Sequence, residues 1–501
     1  MKVYLMYPNQ DFDPQAPLPF NEADLSNDLE LPTLFQVMAK EDEYIRKVIS
    51  TALLVGLEDV DTILYRQEIM QDCLNNPQVI RDIYQIPIEA AENRRKSWLG
   101  IFSRSPSGAM RSAIDLMTMF MALLKRLKSI ADENIDKFTS RGFKRFFAML
   151  QEELSEEYFA QVAYHLKQLK FQNGVLISVQ LGRANEGTDY TLCLPNERKG
   201  TRLTNLFNKR KPVYSFAIGD RDDAGERILA ELRDVGVSAA ANALSQATEH
   251  VEDFLEVLRR EIAFYVGAIN LKEKLDLLNA PITFPVPLRA EEQKHNFAGL
   301  IDVCLALAQK KRVIGNTLNL DGSKLVIITG ANQGGKSTFL RSIGLAQLMM
   351  QAGMFVGAEK FSASVCTGVF THYRRKEDIS MRSGKLDEEL SRMSVIVDHV
   401  QPNALVLFNE SFSATNEREG SEIARQITSA LLEQNIRVFF VTHMYEFSHY
   451  YYEQHLEYST FLRAERKSGG RRTFKLSVGE PLSTSFGEDV YNAIFLNQGN
   501  K

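Results

Sequence analysis

The spacing of apolar residues divides the chain into a helical part and a part that alternates strands with helices. Residues 110–169 carry apolar side chains at steps of three and four, which predicts helices. Between Val251 and Ile269 the apolar steps alternate between four and three, and this heptad-like stripe predicts one long helix over roughly 237–278. Two interpretations of that helix stay open: it packs inside a helical domain, or it is a lever that carries a distant module.

A short stretch inside the helical part has a different pattern. β-like runs at 175–181, 190–194 and 214–218 are bounded by Gly, Asn, Asp and Pro, as strands usually are. They predict a small β-containing insert at about 171–232. A group of prolines between 281 and 287 predicts a domain boundary. We therefore expect a helical domain over 1–290 and a second domain over 291–501.

The second domain has an α/β pattern. Continuous apolar runs at 324–329, 404–408 and 437–442 are separated by helical segments, which predicts a parallel sheet with helices on its faces. The uncharged stretch 342–358 is interrupted by Gly and Gln. It is shorter than the roughly 20 residues of a membrane span, so it predicts a buried helix.

Charge and cysteine content narrow the functional class. Lys and Arg number 59 against 64 Asp and Glu, and the net charge of −5 excludes a protein that coats nucleic acid by charge alone. The four cysteines are far apart and form no CxxC pair, which argues against a disulfide framework or a structural zinc site. The first residues lack a long apolar run. We expect a cytoplasmic protein with no membrane partner.

A glycine-rich loop follows the first apolar strand of the second domain. Residues 330–337 match GxxxxGK[ST] between a strand and a helix. Such glycines let backbone N–H groups surround phosphate oxygens, and the helix N-terminus adds its positive dipole. We expect Lys336 on the β- and γ-phosphates of ATP and Ser337 on Mg²⁺. The other nucleotide-binding candidates in the loop are Gly330, Asn332, Gly334, Gly335 and Thr338.

Two further strand ends carry candidate catalytic groups. The strand at 405–408 ends in Asn409-Glu410, where an acidic pair would support Mg²⁺ and polarise the attacking water. Glu410 is the candidate for the water. Asn409 adds no charge, so it is expected to support Mg²⁺ only indirectly and to weaken that support. His443 follows the next strand, and we interpret it as a catalytic sensor of the γ-phosphate or water rather than a structural histidine.

Together these motifs resemble those of the MutS family of ABC-type ATPases. Thr329–Arg341 is similar to the family's nucleotide loop, Asn409–Asn416 to its Walker B element and Thr442–Phe447 to its histidine-containing segment. The resemblance implies a P-loop ABC-type ATPase domain over 291–501. It also implies that Asn316 binds nucleotide and that Ser383 or Gly384, at the start of the signature helix, faces the γ-phosphate of a partner subunit.

The helical part resembles the family's core and lever domains more weakly. The resemblance implies a descending lever over 110–170, a clamp-like insert and a returning lever over 237–278. Relative to the family, the sequence is expected to lack the mismatch-recognition domain and the Smr nuclease domain. Val313 stands where the family often has an aromatic residue against adenine.

The function expected from this resemblance is that of a dimeric, DNA-binding ATPase. ATP would gate a clamp on structured or recombining DNA, and mismatches would not be read. The basic stretch 198–211 lies in the insert and is either a phosphate contact or a solvated loop, and Arg94-Arg95-Lys96 is a weaker candidate. An alternative stays open because of Asn409 and the overall acidity: a nucleotide-gated scaffold that acts on RNA, ribosomes or a protein with little hydrolysis.

Overall fold

The computed structural model describes residues 1–98, 105–172, 174–194, 214–375, 384–466 and 472–482. The helices of this part of the chain are α1 (Glu22–Asp28), α2 (Leu31–Ala39), α3 (Glu43–Val55), α4 (Val60–Asn75), α5 (Pro77–Trp98), α6 (Pro106–Asn134), α7 (Arg141–Glu153), α8 (Glu156–Leu169), α9 (Asp223–Leu277), α10 (Val303–Gln309), α11 (Lys336–Gln351), α12 (Lys385–His399), α13 (Glu417–Glu433) and α14 (Tyr445–Glu453). The strands are β1 (Leu176–Leu181), β2 (Gly187–Cys193), β3 (Val286–Leu288), β4 (His295–Leu300), β5 (Asn316–Asn319), β6 (Leu325–Gly330), β7 (Lys360–Ser364), β8 (Val369–Tyr373), β9 (Leu405–Asn409), β10 (Arg437–Val441), β11 (Ser459–Arg466) and β12 (Arg472–Val478).

The helical pattern of the first part is confirmed. Helices α6, α7 and α8 cover the stretch predicted from the steps of three and four. The predicted long helix is α9, which has 55 residues and begins at Asp223 rather than near 237. Every member of its heptad-like stripe from Val251 to Ile269 is buried, because an apolar stripe on a helix is stabilised by packing against other apolar side chains.

The chain packs as two compact units. One unit comprises Met1–Val3, Arg81–Asp136 and Lys144–Arg259, and the other Tyr4–Ile80, Lys137–Phe143 and the described part of Arg260–Lys501. This division differs from the boundary expected at residue 290, because the N-terminal helices α1 to α4 pack in the same unit as the α/β sheet. For example, the backbone N–H of Leu57 donates to the carbonyl of Gln351 at 2.8 Å.

The β-like stretch forms a hairpin in the first unit. Strands β1 and β2 pair antiparallel, with Leu176 opposite Cys193. The third predicted strand, at 214–218, is wrong: these residues are not in a strand, and Tyr214 and Phe216 are 92% and 86% exposed. Alternating apolar residues form a strand only where another strand supplies the hydrogen bonds. The predicted end of the insert near 232 falls within α9.

The α/β pattern of the second part is confirmed. A six-stranded sheet has the order β12-β11-β6-β10-β9-β8, in which the five strands from β11 to β8 are parallel and β12 is antiparallel at the edge. β6 is buried throughout and the apolar residues of β9 and β10 are buried, as expected where helices cover both faces. A second, four-stranded sheet has the order β3-β7-β4-β5.

The uncharged stretch 342–358 is a buried helix only as far as Gln351, and residues 352–358 are buried but not helical. Thirteen of the sixteen residues of α11 are buried, including the polar Gln347 and Gln351. Gln351 satisfies its amide by donating to the carbonyls of Leu57 and Cys366. Among the described residues, no helix is both long and apolar enough to cross a bilayer.

Candidate nucleotide site

The glycine loop turns sharply between β6 and α11. Gly330 and Gly335 have φ angles of 104° and 91°, a region that glycine enters without a side-chain penalty. Lys336 begins α11, and its Nζ donates to the carbonyls of Gly330 at 2.8 Å and Ala331 at 3.2 Å. The loop therefore holds its lysine over its own backbone, at the N-terminus of a 16-residue helix.

The electrostatics of the lysine follow from its position. Burial lowers the pKa of the Lys336 amine, while the nearby Glu410 carboxylate raises it and Arg472 lowers it. The net direction is downward, because removing an ammonium group from water favours its neutral form. An anion in the same cavity would favour the charged form again.

Ser337 joins the glycine loop to the end of β9. Its hydroxyl donates to the side-chain oxygen of Asn409 at 2.9 Å. Ser337 lies at the start of α11, which follows β6, and Asn409 ends β9. Because β6 and β9 flank β10, the sheet brings together groups 72 positions apart. Carboxamide and hydroxyl oxygens at this separation form a pair of hard oxygen ligands.

Glu410 lies just beyond β9 in an unusual backbone conformation. Its φ is 55°, in the left-handed region that residues other than glycine rarely adopt. Its backbone N–H donates to the carbonyl of Val441 at 2.8 Å, which anchors it to the end of β10. Its side chain lines the same cavity as Lys336 and Ser337.

A cavity of about 640 Å³ collects most of the predicted site residues. Its volume falls within the range of small-molecule sites. The predicted residues in its lining are Asn316, Asn332, Gly334, Gly335, Lys336, Ser337, Thr338 and Glu410. Gly330 and Asn409 are not in the lining, but they contact Lys336 and Ser337. Ser383 lies outside the described residues.

Asn316 forms hydrogen bonds with the opposite wall of the cavity. Its side-chain oxygen accepts the backbone N–H of Leu476 at 2.8 Å, and its amide donates to the carbonyl of Phe474 at 3.5 Å. It therefore ties β5 to β12 at the wall of the cavity. These bonds fix the orientation of the carboxamide.

The cavity also contains residues that the sequence analysis did not identify. Phe474 from β12 lines it, is 48% exposed and has a φ of 59°. Asp302, Leu305 and Gln309 line it from the region of α10. Phe474 lies 138 residues beyond Lys336 in the chain, and only the antiparallel pairing of the sheet edge brings it there, so no local pattern predicts its place.

His443 follows β10, but the cavity lining does not include it. Its side chain is exposed. A role as a sensor of the γ-phosphate or water therefore remains a prediction.

Of the two basic clusters, only the one that begins at Arg94 lies within the described residues. Arg94 forms an ion pair with Glu252 within the first unit, which supports a structural role for this residue. The cluster at 198–211 lies outside the described residues.

The oxygen ligands at the site fit a magnesium ion that arrives with phosphates. Ser337 and Asn409 supply neutral oxygens, and Glu410 is a carboxylate nearby. In the described part of the chain no group of three His, Cys, Asp or Glu residues could hold a metal alone. Mg²⁺ commonly binds through one or two protein oxygens together with substrate phosphates, and this donor set suits that arrangement.

Comparison with known families gives two matches. The family model for the MutS2 N-terminal domain matches residues 58–278. The family model for MutS domain V matches residues 326–498, which include the glycine loop, Asn409 and Glu410. The two models cover different parts of the chain, and each corresponds to one of the two sequence patterns.

Similar curated proteins come from bacteria and animals. MutS protein homolog 4 of Homo sapiens is 27% identical over 267 residues, which are 52% of this chain and 27% of that protein. Endonuclease MutS2 of Bacillus velezensis is 27% identical over 283 residues, 54% of this chain and 35% of that protein. DNA mismatch repair protein MutS of Prochlorococcus marinus is 25% identical over 312 residues, 60% of this chain and 32% of that protein. The chain thus spans about a third of the length of these relatives or less.

Proposed function

Since this chain belongs to the MutS family, we propose that it is an ATPase that couples ATP hydrolysis to binding of structured or recombining DNA. Its C-terminal part is then a P-loop ABC-type ATPase domain. The observation that carries the proposal is the bond from Ser337 to Asn409 at 2.9 Å, beside a cavity that Lys336 and Glu410 both line. This arrangement unites phosphate binding, metal support and a carboxylate in one site.

The glycine loop and Lys336 bind the phosphates in this proposal. The first residues of α11 line the cavity, and a helix N-terminus stabilises anions through its dipole. Lys336 exchanges its bonds to the carbonyls of Gly330 and Ala331 for phosphate oxygens. Those carbonyls keep the amine in place before the nucleotide enters, so little rearrangement is needed.

Ser337 and Asn409 would hold Mg²⁺, and Glu410 would orient the attacking water. A magnesium ion held there would supply positive charge that stabilises the phosphate oxygens. The Ser337 hydroxyl is a direct ligand candidate, and Asn409 acts through its amide oxygen. Glu410 accepts hydrogen bonds from the attacking water and orients it. His443 is proposed to reach the same γ-phosphate or water.

The proposal includes two partners. A second copy of the chain would complete the site through Ser383 or Gly384 at the start of α12, so we expect a homodimer. DNA would bind to the helical part, with α6 and α9 as levers and the insert as a clamp. The similar proteins include a DNA mismatch repair protein and an endonuclease, which supports DNA as the partner class.

Steady-state ATP hydrolysis with and without a four-way DNA junction tests this function. The expected result is phosphate release that changes with DNA and is lost in Lys336→Ala. A matched control is Lys324→Ala, since Lys324 precedes β6 and does not line the nucleotide cavity. Tight ATP binding without turnover, and retention of RNA or ribosomes in preference to DNA, would overturn the proposal. The result would then favour the nucleotide-gated scaffold that Asn409 suggests.

A further inference from the structure

The turn that carries Glu410 contains two residues in the left-handed region. Glu410 has a φ of 55° and Phe412 a φ of 60°. We call residues Asn409–Ser413 the Glu410 turn. Because neither residue is glycine, this backbone is unfavourable by itself and persists only where the surroundings hold it. The groups that hold it therefore decide where the Glu410 carboxylate lies.

His372 holds the middle of the turn from the neighbouring strand β8. It is fully buried, and its Nδ1 lies 2.8 Å from the hydroxyl of Ser411. The Ser411 hydroxyl also donates to the backbone carbonyl of His372. The ring stacks on Phe412 with centroids 5.2 Å apart and planes at 20°. One imidazole thus contacts the two residues that follow Glu410.

The other edge of the same ring reaches α12. Its Nε2 lies 2.9 Å from the backbone carbonyl of Glu389. Burial, with a smaller contribution from Arg392, lowers the pKa of His372 to about 4, so the imidazole is neutral near pH 7. A carbonyl only accepts, so Nε2 carries the proton and Nδ1 is left as an acceptor. The Ser411 hydroxyl lies between this nitrogen and the His372 carbonyl and shares its single proton between them.

Glu389 holds the end of the turn. Its side chain is 2% exposed, and the nearby backbone N–H of Phe412 favours the charged form of its carboxyl group. Its Oε2 atom has no hydrogen-bond partner among the described residues. Burial raises the pKa of this carboxyl, against the opposing effect of the Phe412 N–H and nearby arginines. A buried carboxylate with an unpaired oxygen destabilises the fold. Its place in the structure therefore calls for an explanation.

The remaining groups of the turn are fixed on the opposite side. The Glu410 N–H donates to Val441, and the Glu410 carbonyl accepts the hydroxyl of Ser413 at 2.6 Å. An added Cβ on Gly420 would lie 2.3 Å from the Phe412 carbonyl oxygen. The turn is therefore enclosed, and Glu389 and His372 form the wall that belongs to α12 and β8.

We propose that Glu389 and His372 are positioning residues for hydrolysis, which hold the left-handed turn so that the Glu410 carboxylate faces the nucleotide cavity. Neither side chain touches the cavity, so both act through Glu410. The inference rests on the proposed function, because it requires Glu410 to act on ATP. It assigns α12 a second task within its own subunit, which is to fix the geometry of the catalytic turn.

Single-turnover phosphate release and binding of the fluorescent analogue mant-ATP test the inference together. Glu389→Ala should lower the hydrolysis rate by about 10- to 100-fold, the size expected when a catalytic group is displaced by about 1 Å. Affinity for mant-ATP should stay near that of the wild type. Glu389→Gln keeps a side-chain oxygen of the same size beside the Phe412 N–H, so it should restore most of the rate. Asp398→Ala, an exposed acid on the same helix, is the matched control.

A double-mutant cycle separates positioning from a general loss of structure. In the background of Glu410→Gln, Glu389→Ala should cause no further loss of rate, since both changes remove the same interaction. If Glu389→Ala does not fold, His372→Gln in the same cycle tests the turn from β8. Multiplicative losses, or a Glu389→Ala rate equal to that of the wild type, would overturn the inference.

The same experiment shows whether the positioning inference alone is wrong or the proposed ATPase function is wrong as well. If the wild type binds mant-ATP and releases no phosphate, the ATPase itself is wrong, and the inference falls with it. If the wild type and Glu389→Ala both hydrolyse ATP while Glu410→Gln does not, the ATPase stands and only the positioning by Glu389 is wrong.

Discussion

Two turns at the carboxyl edge of one sheet approach the candidate nucleotide site, and they are built in opposite ways. The glycine loop after β6 reaches the left-handed region mainly with Gly330 and Gly335. The Glu410 turn after β9 reaches it with Glu410 and Phe412. The first turn takes its shape from its own residues. The second takes its shape from buried side chains on β8 and α12.

This difference determines how easily each turn is identified in the sequence and which substitutions disrupt it. Glycine removes the steric penalty locally, so the loop leaves a pattern that can be read in the sequence. Ordinary residues in the same backbone region need support from distant segments, and that support leaves no local pattern. The glycine loop should be damaged mainly by changes within it, whereas the Glu410 turn should also be sensitive to changes 20 to 40 positions away.

The largest effect is expected for the carboxylate that the second turn carries. Glu410→Gln should reduce ATP turnover by about 100- to 10,000-fold, the usual contribution of a general base. ATP binding should persist, because Lys336 and the loop are unchanged. Turnover and equilibrium binding measured on the same preparation check this, with Glu433→Gln as an exposed control. Turnover within a few-fold of the wild type would remove Glu410 from the chemistry.

A smaller effect is expected from breaking the glycine loop. Gly330→Ala forces a side chain into a φ of 104° and places its Cβ 2.9 Å from the backbone nitrogen of Ala464. We expect the free energy of unfolding to fall by about 2–4 kcal/mol, measured by urea denaturation. Gly219→Ala is the control, since an added Cβ there meets open space. Equal stability of the two variants would mean that the loop does not depend on its glycine.

The free energy of unfolding should decrease in acid because of His372, which supports the Glu410 turn. The pKa of His372 is lowered to about 4 in the folded protein, against about 6.5 when unfolded. Protons therefore bind the unfolded chain first, and stability falls as the pH drops from about 6.5 toward 4, by up to about 1.4 kcal/mol per pH unit.

His372→Phe removes this titration while keeping a ring against Phe412. The variant should be less stable than the wild type by about 1–3 kcal/mol at pH 7.5, because the bonds to Ser411 and Glu389 are lost. The gap should narrow at pH 5, where the wild type has lost part of its own stability. Denaturation at both pH values measures it, and the exposed His250→Phe serves as control. A gap that widens on acidification would contradict the account.

The smallest effect is expected at the first residue of the second turn. Asn409→Asp replaces a neutral oxygen ligand with a carboxylate while keeping the acceptor for Ser337. The Mg²⁺ concentration for half-maximal turnover should fall by about three- to tenfold, since Mg²⁺ prefers charged oxygen ligands. A magnesium titration of turnover checks this. An unchanged requirement would mean that position 409 does not support the metal.

The sequence predicted the features of this fold that depend on local pattern. Strands β6, β9 and β10 are mainly apolar runs, and α9 shows its heptad-like stripe from Val251 to Ile269, over about five turns. The loop from Gly330 to Ser337 has fixed spacing. These patterns are enough to predict the elements, because the residues that each segment must bury or use for binding lie within that segment. They also predict the place of the cavity around Lys336, because the carboxyl ends of parallel strands lie at the same edge of the sheet and ligands bind there.

Features that depend on distant segments were not predicted. Glu261 lies within the apolar stripe of α9, and only the structure shows that it accepts the backbone N–H groups of Leu5, Met6 and Phe12. The same limit applies to Phe474 at the cavity and to His372 beneath the Glu410 turn. Residues 214–218 show the converse, because they have a strand-like pattern but are not in a strand.

The central claim is that the two turns together hydrolyse ATP despite the neutral Asn409. Its most direct test is single-turnover hydrolysis of radiolabelled ATP with protein in excess and Mg²⁺ present, for the wild type and Lys336→Ala. The account predicts that bound ATP is converted to ADP and phosphate by the wild type and stays intact with the variant. ATP that binds to the wild type and is recovered unhydrolysed after many hours would contradict it.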